Sequence, residues 1–215
     1  MSVHEMLRRN DDRFLGVMAG FTAQQWAAPS LCECWTNHQL LAHLVIGYSA
    51  GPGAFITEIV RRRGSFDDTN TALACTLAAT RQPGDLLDDM ERLRVRPRGL
   101  GRVFPKRLLL GDHVTHELDM LYALGRIPDV AAGTLIAVLN TQVSVPNPFV
   151  PAYRNSRGLR LIATDADWMH GRPDDPVVRG PAAALVSVLG SRSAALPLLT
   201  GPGVQILRGR HAAAP

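Results

Sequence analysis

No stretch of this 215-residue chain approaches the ~18 consecutive apolar residues that a membrane-spanning helix needs. The first ten residues, Met-Ser-Val-His-Glu-Met-Leu-Arg-Arg-Asn, lack the apolar core of a secretory signal. Cysteine is scarce: Cys32, Cys34 and Cys75 make an odd count, which excludes a disulfide framework and leads us to expect a reducing cytoplasm. Lysine is nearly absent, since 23 residues are Lys or Arg and Lys106 is the one lysine. No Ser-His-Asp order, phosphate loop, dinucleotide fingerprint or internal repeat appears. What is present fits a globular protein: 46% hydrophobic residues, 20% charged, and a net charge of +4.

The first two thirds of the chain reads as helices. Ser2 with Glu5 starts one over residues 2–20, and Thr22 caps a short turn that carries Trp26. Thr36 is the N-cap of a helix over 37–50. Within it His43 lies among Leu40, Leu41, Leu44 and Val45, where a lone histidine is by spacing alone more often a core group than a ligand. Further helices are expected over 54–63, 68–80 and 83–93, the last two separated at Gln82-Pro83-Gly84. Residues 92–107 hold seven basic side chains among Pro and Gly. They read as a solvated loop, because no aromatic interleaving or nucleic-acid motif accompanies them.

The most informative stretch is Leu108 to Leu121, which reads LLLGDHVTHELDML. It holds two histidines and three acids within eight residues and can run as one helix to Gly125, a C-cap. Residues i and i+4 share a helix face, so Asp112 and His116 point the same way, with Asp119 a neighbour of His116. A carboxylate and an imidazole so spaced can hold one divalent metal. His113 and Glu117 form a second pair, rotated by about 100°. The apolar residues centre the buried face near 110, 114 and 121 and leave the 112/116 pair on its flank. The plain alternative is an amphipathic helix whose polar flank is solvated.

One more helix is expected over 129–143. Pro146, Pro148 and Pro151 then mark a linker at 145–151. Beyond it the pattern changes to strands at 159–164, 176–180 and 203–208, with a helix from Pro181 to Leu189. The expected fold is therefore mainly α: a helical bundle over 1–144, then a small α+β domain over 152–215.

An ordered set of residues carries a resemblance. Trp26, Pro29-Ser30-Leu31-Cys32-x-x-Trp35-Thr36, His43, Asp112-x-x-x-His116-x-x-Asp119 and Leu124-Gly125 are similar to the mycothiol-dependent maleylpyruvate isomerase family. That family belongs to the DinB-like four-helix bundles that bind metal. The tail resembles it too, through Gly158-Leu-Arg-Leu-x-Ala-Thr-Asp165-x-Asp167-Trp168, Val178-x-Gly180-Pro181-Ala182 and Leu199-x-Gly201-x-Gly203-Val204.

The resemblance implies a divalent metal, zinc first, held by His43, Asp112 and His116, with one position left open. The family usually has Glu where this chain has Asp112. The shorter acid brings the metal nearer the backbone or weakens it, and His113 is the substitute ligand if the helix is rotated. Asp119 is implied as a hydrogen-bond acceptor for an imidazole and a participant in catalysis. Arg192, just after the helix of the tail, is a candidate contact for a substrate carboxylate and for the catalytic set, with a solvated surface position as the plainer reading. Mycothiol, the thiol of actinobacteria, is the implied cosubstrate and a small electrophile the second substrate. Neither nucleic acid nor membrane is expected as a partner, and a homodimer is left open. The implied reaction is thiol S-transfer or isomerisation. The alternatives are maleylpyruvate isomerisation proper, metal-dependent hydrolysis, or metal or ligand binding without catalysis. Cys32 and Cys34 form a CxC pair that could bind metal, though loop packing is the reading taken.

Overall fold

The first helix forms because Ser2 accepts a hydrogen bond from the Glu5 amide and because Leu7, Phe14 and Met18 recur on one face, all buried. In this computed structural model, residues 1–213 are described, except 33–34, 52, 54–56, 58–59, 62–64 and 148–149. Most of the helix expected over 54–63 lies outside the described residues, as do Cys34 and part of the proline-rich linker.

Among the described residues, these helices lead from the N-terminus through the key stretch: α1 (Val3–Ala19), α2 (Ala23–Ala27), α3 (Asn37–Ser49), α4 (Phe66–Thr80), α5 (Pro83–Val95) and α6 (Lys106–Ala123). Thr22 and Thr36 each make a reciprocal capping box, with Gln25 and Gln39. Pro83 sits in the first turn of α5, where its missing N–H costs nothing. Within the compact unit Met1–Leu109, α3 packs on α4 and α5, and α1 packs on α5. Their core is Phe14, Met18, Leu40, Leu41, Leu44, Leu86 and Met90, all fully buried. Burying each such side chain contributes about 1.5–3 kcal/mol.

The basic segment after α5 is partly a tight 3-10 turn, Gly99–Arg102, seated on the end of α3. Arg98 donates its amide to Tyr48 O at 2.8 Å, and Lys106 donates to Gly101 O at 2.7 Å. Arg94 pairs with Asp12, and Arg92 with Asp89. The charges of Arg92, Arg94 and Lys106 are therefore engaged with the protein itself.

The second compact unit, Leu110–Pro215, contains most of α6, then α7 (Ala132–Ser144), α8 (Ala152–Ser156), β1 (Arg160–Ala163), β2 (Met169–His170), β3 (Val177–Gly180), α9 (Ala182–Leu189) and α10 (Gly203–Ala212). The sheet order is β2-β1-β3, antiparallel between β1 and β2 and parallel between β1 and β3. All eight residues of α9 are buried, which suits AAALVSVL, and the helix packs on α7, α8 and β1. Asp165 accepts the Ala182 amide at 2.8 Å at the start of α9. Trp168 Nε1 donates to Asn140 Oδ1 of α7 at 2.8 Å. These two contacts explain the Asp165-x-x-Trp168 part of the tail motif.

One expected element differs. Residues 203–208 form the start of helix α10, not a strand, and the third strand is Met169–His170. Gly203, Val204 and Leu207 are buried while Gln205, Ile206 and Arg208 face out. That spacing is helical, whereas a strand would have put 204, 206 and 208 on one face. The apolar run was too short to separate the two periods.

Candidate functional site

Helix α6 ends as its sequence requires. Gly125 takes φ +65°, the Arg126 amide bonds to Leu121 O at 2.8 Å and the Gly125 amide to Tyr122 O at 3.1 Å. This is a Schellman turn, which needs the left-handed residue that glycine supplies without strain. Upstream of it α6 is buried on nearly every side. Leu110, Val114 and Leu118 are joined inside by His113, Glu117 and Asp119, all at most 1% exposed, and His116 is 7% exposed. The solvated polar flank is thereby excluded. A buried run of this kind costs several kcal/mol unless each group is paired.

Pairing is what the side chains do. His116 Nε2 lies 3.4 Å from Asp112 Oδ1, one turn back on the same face. On the other side of the ring, Nδ1 lies 3.0 Å from Asp119 Oδ2. Protonated at both nitrogens, the ring meets Asp119 through Nδ1 and Asp112 through Nε2; once the Nε2 proton is lost, with Nδ1 still donating to Asp119, the Nε2 lone pair lies on the Asp112 side. Burial alone pushes the imidazolium pKa down, but the Asp112 charge and hydrogen bond, and then Asp119, push it up to about 9 in the metal-free protein. Burial pushes the Asp119 carboxyl up, yet the His116 hydrogen bond and Arg192 hold it below the usual carboxylate range.

Arg192 meets a carboxylate, and the carboxylate is Asp119. Its Nε donates to Asp119 Oδ1 and its Nη2 to Oδ2, both at 2.9 Å, in a bidentate pair. The third nitrogen, Nη1, donates to Gly190 O at 2.7 Å. Arg192 leaves the end of α9 through Ser191, whose φ of +69° is the one positive value outside glycine among the described residues. Asn155, fully buried on α8, donates to Leu189 O at 2.9 Å and to Ser191 Oγ at 3.0 Å. Sequence reasoning missed Asn155 and Ser191. No motif signals a left-handed serine, and an asparagine in a five-residue helix carries no pattern.

His43 belongs to the first compact unit. It is half-buried on α3, with its ring 4.9 Å from that of Trp35 and tilted by 39°. Cys32 and Cys75 are half-buried. Cys32 lies in the capped loop before α3, where Ser30 Oγ accepts its amide at 3.1 Å, and Cys75 accepts from Gln39 at 3.4 Å. Asp112, His116, Asp119 and Arg192 are thus brought into one connected chain of contacts, with His113 and Glu117 buried beside them on α6. No helix of the described residues is long and apolar enough to cross a membrane.

The fold is thus a mainly helical one that ends in a small α+β tail, and its site holds an imidazole between two carboxylates. Residues 7–108 match the family model of the mycothiol maleylpyruvate isomerase N-terminal domain. Two solved structures resemble the whole fold. A crystal structure of the mycothiol-dependent maleylpyruvate isomerase matches with 16% identity and a TM-score of 0.58, over 94% of this chain and 93% of that one. A histidine-to-alanine mutant of that isomerase matches with 15% identity and a TM-score of 0.59 over the same shares. No curated protein sequence matches the chain.

Proposed function

We propose that this protein is a divalent-metal-dependent enzyme that uses mycothiol as thiol cosubstrate, for S-transfer to a small electrophile or for its isomerisation. His43, Asp112 and His116 are the proposed ligands, and zinc is the proposed metal. The observation that carries this reading is the His116 ring, held through Nδ1 by Asp119 with Nε2 set 3.4 Å from Asp112 Oδ1. An imidazole nitrogen and a carboxylate oxygen side by side are a zinc-type donor pair, and each offers one ligand atom. The burial that makes unpaired charge costly makes this pair fit a cation.

A cation there supplies the Lewis acidity that lets a bound thiol ionise at neutral pH. The residues of the chain do the rest. Asp112 and His116 offer a common donor face. Asp119 keeps the His116 proton on Nδ1. Arg192 keeps Asp119 ionised and aimed. Isomerisation of maleylpyruvate itself is the second reading, favoured by the family match and by the named activity of both structural relatives.

The test is elemental analysis of the purified chain, followed by product detection with mycothiol and a panel of electrophiles that includes maleylpyruvate. We expect about one divalent ion per chain and turnover only with thiol. Turnover of maleylpyruvate alone selects the second reading. Hydrolysis without thiol, or no metal uptake at all, overturns both.

A further inference from the structure

We propose that Arg192 is a positioning residue for the metal-binding imidazole, acting through Asp119, and not a contact for substrate. The inference rests on the reading of His116 as a ligand. Arg192 and Asp119 are 73 residues apart in sequence, so the contact ties the tail domain's α9 end to the middle of α6. Both Asp119 oxygens are occupied: Oδ1 by Arg192 Nε, Oδ2 jointly by Arg192 Nη2 and His116 Nδ1. A carboxylate gripped at both oxygens cannot rotate, so the ring it accepts from cannot rotate either.

Each of the three guanidinium nitrogens has a partner within the protein, because Nη1 holds Gly190 O. A bidentate substrate carboxylate would therefore have to displace Asp119, itself fully buried. The turn that delivers Arg192 is also built for one geometry. The Arg192 amide bonds to Ser187 O at 3.1 Å, and Asn155 holds Leu189 O and Ser191 Oγ. A left-handed serine persists only where its surroundings determine it. Exposure is low along the whole chain of contacts: the side chain of Arg192 is 19% exposed and that of Asp119 fully buried.

The experiment uses the full chain, with zinc against a competing chelator and cobalt(II) as a spectroscopic probe. Arg192→Ala should weaken metal affinity by about 10–100-fold and shift the cobalt absorption bands, with Arg192→Lys recovering part of both. Asp119→Asn should weaken affinity comparably, and adding Arg192→Ala to it should cost little more. In the metal-free chain the slowly exchanging Nδ1–H of His116, seen by proton NMR and absent in His116→Ala, should be lost in Arg192→Ala. If Arg192→Ala does not fold, Arg192→Lys carries the same readouts.

Unchanged affinity, cobalt spectrum and ring N–H, with only KM raised, would overturn the inference and make Arg192 a substrate contact. Should the wild-type chain take up no ion, the metal reading fails by itself. The ring N–H then decides: its loss in Arg192→Ala upholds the positioning role and its persistence refutes it.

Discussion

Asn155 and Ser191 are joined by a 3.0 Å hydrogen bond from a fully buried amide to the hydroxyl of a left-handed residue. The pair holds the turn between α9 and the short 3-10 helix Ser193–Leu198. Asn155→Ala leaves Leu189 O without this donor in a buried place. It should cost about 2 kcal/mol, or a fall in Tm of about 4–8 °C. Ser191→Gly should stay within about 0.5 kcal/mol, since glycine accepts φ +69°, whereas Ser191→Ile should cost about 2 kcal/mol. Thermal unfolding of the three variants checks the order; equal Tm values for the Gly and Ile variants would show that the backbone is not constrained there.

His116→Ala should abolish stoichiometric metal while keeping the helical circular-dichroism signal. His113→Ala should keep the metal and instead destabilise, by about 2–3 kcal/mol, because His113 is fully buried on the same helix. Elemental analysis alongside denaturant titration separates the two. Metal lost from the His113 variant and retained by the His116 variant would reverse the ligand assignment.

The pH dependence of the metal-free protein follows from His116. Its folded pKa, about 9, lies above the unfolded value, so its contribution to stability is fully present below the unfolded pKa of about 6.5. That contribution is lost as pH rises through about 9. Asp119 has the opposite sign: its folded pKa is lowered, so its contribution is present above the usual carboxylate range and lost as pH falls through the folded value. Urea midpoints of the chelator-treated protein should therefore decline between pH 6.5 and 9, and the decline should flatten in His116→Gln. Identical slopes in both proteins would contradict the arrangement.

Glycine substitutions at two sites should act with opposite signs. A Cβ at Gly101 would lie 2.6 Å from Tyr48 O and 2.7 Å from Tyr48 Cα, so Gly101→Ala must push the turn off α3 and should cost about 2 kcal/mol or more. A Cβ at Gly111, within α6, meets nothing within 4 Å, and Gly111→Ala should stabilise by about 0.5–1 kcal/mol. Paired Tm measurements test both signs.

The caps were legible because they are local. Ser2, Thr22, Thr36, Pro83 and Gly125 each act within four residues of chain, and the helices begin and end where those residues say. The i, i+4 relation of Asp112 and His116 is likewise a property of one helix, readable before any packing is known. Even the change from helices to a small mixed tail could be read from periodicity, although 203–208 was too short for its period to be distinguished.

Tertiary structure decided what those local patterns could not. Whether the polar stripe of α6 faced water or protein depends on what packs around it, and its burial turned His116 and Asp119 from a solvated flank into a coupled pair. The partner of Asp119 comes from 73 residues away, through a serine in a conformation no sequence pattern announces. Local sequence sets backbone geometry through sterics and hydrogen bonds a few residues apart. The grip on His116 depends on side chains distant in sequence being brought within 3 Å, and only the folded chain does that.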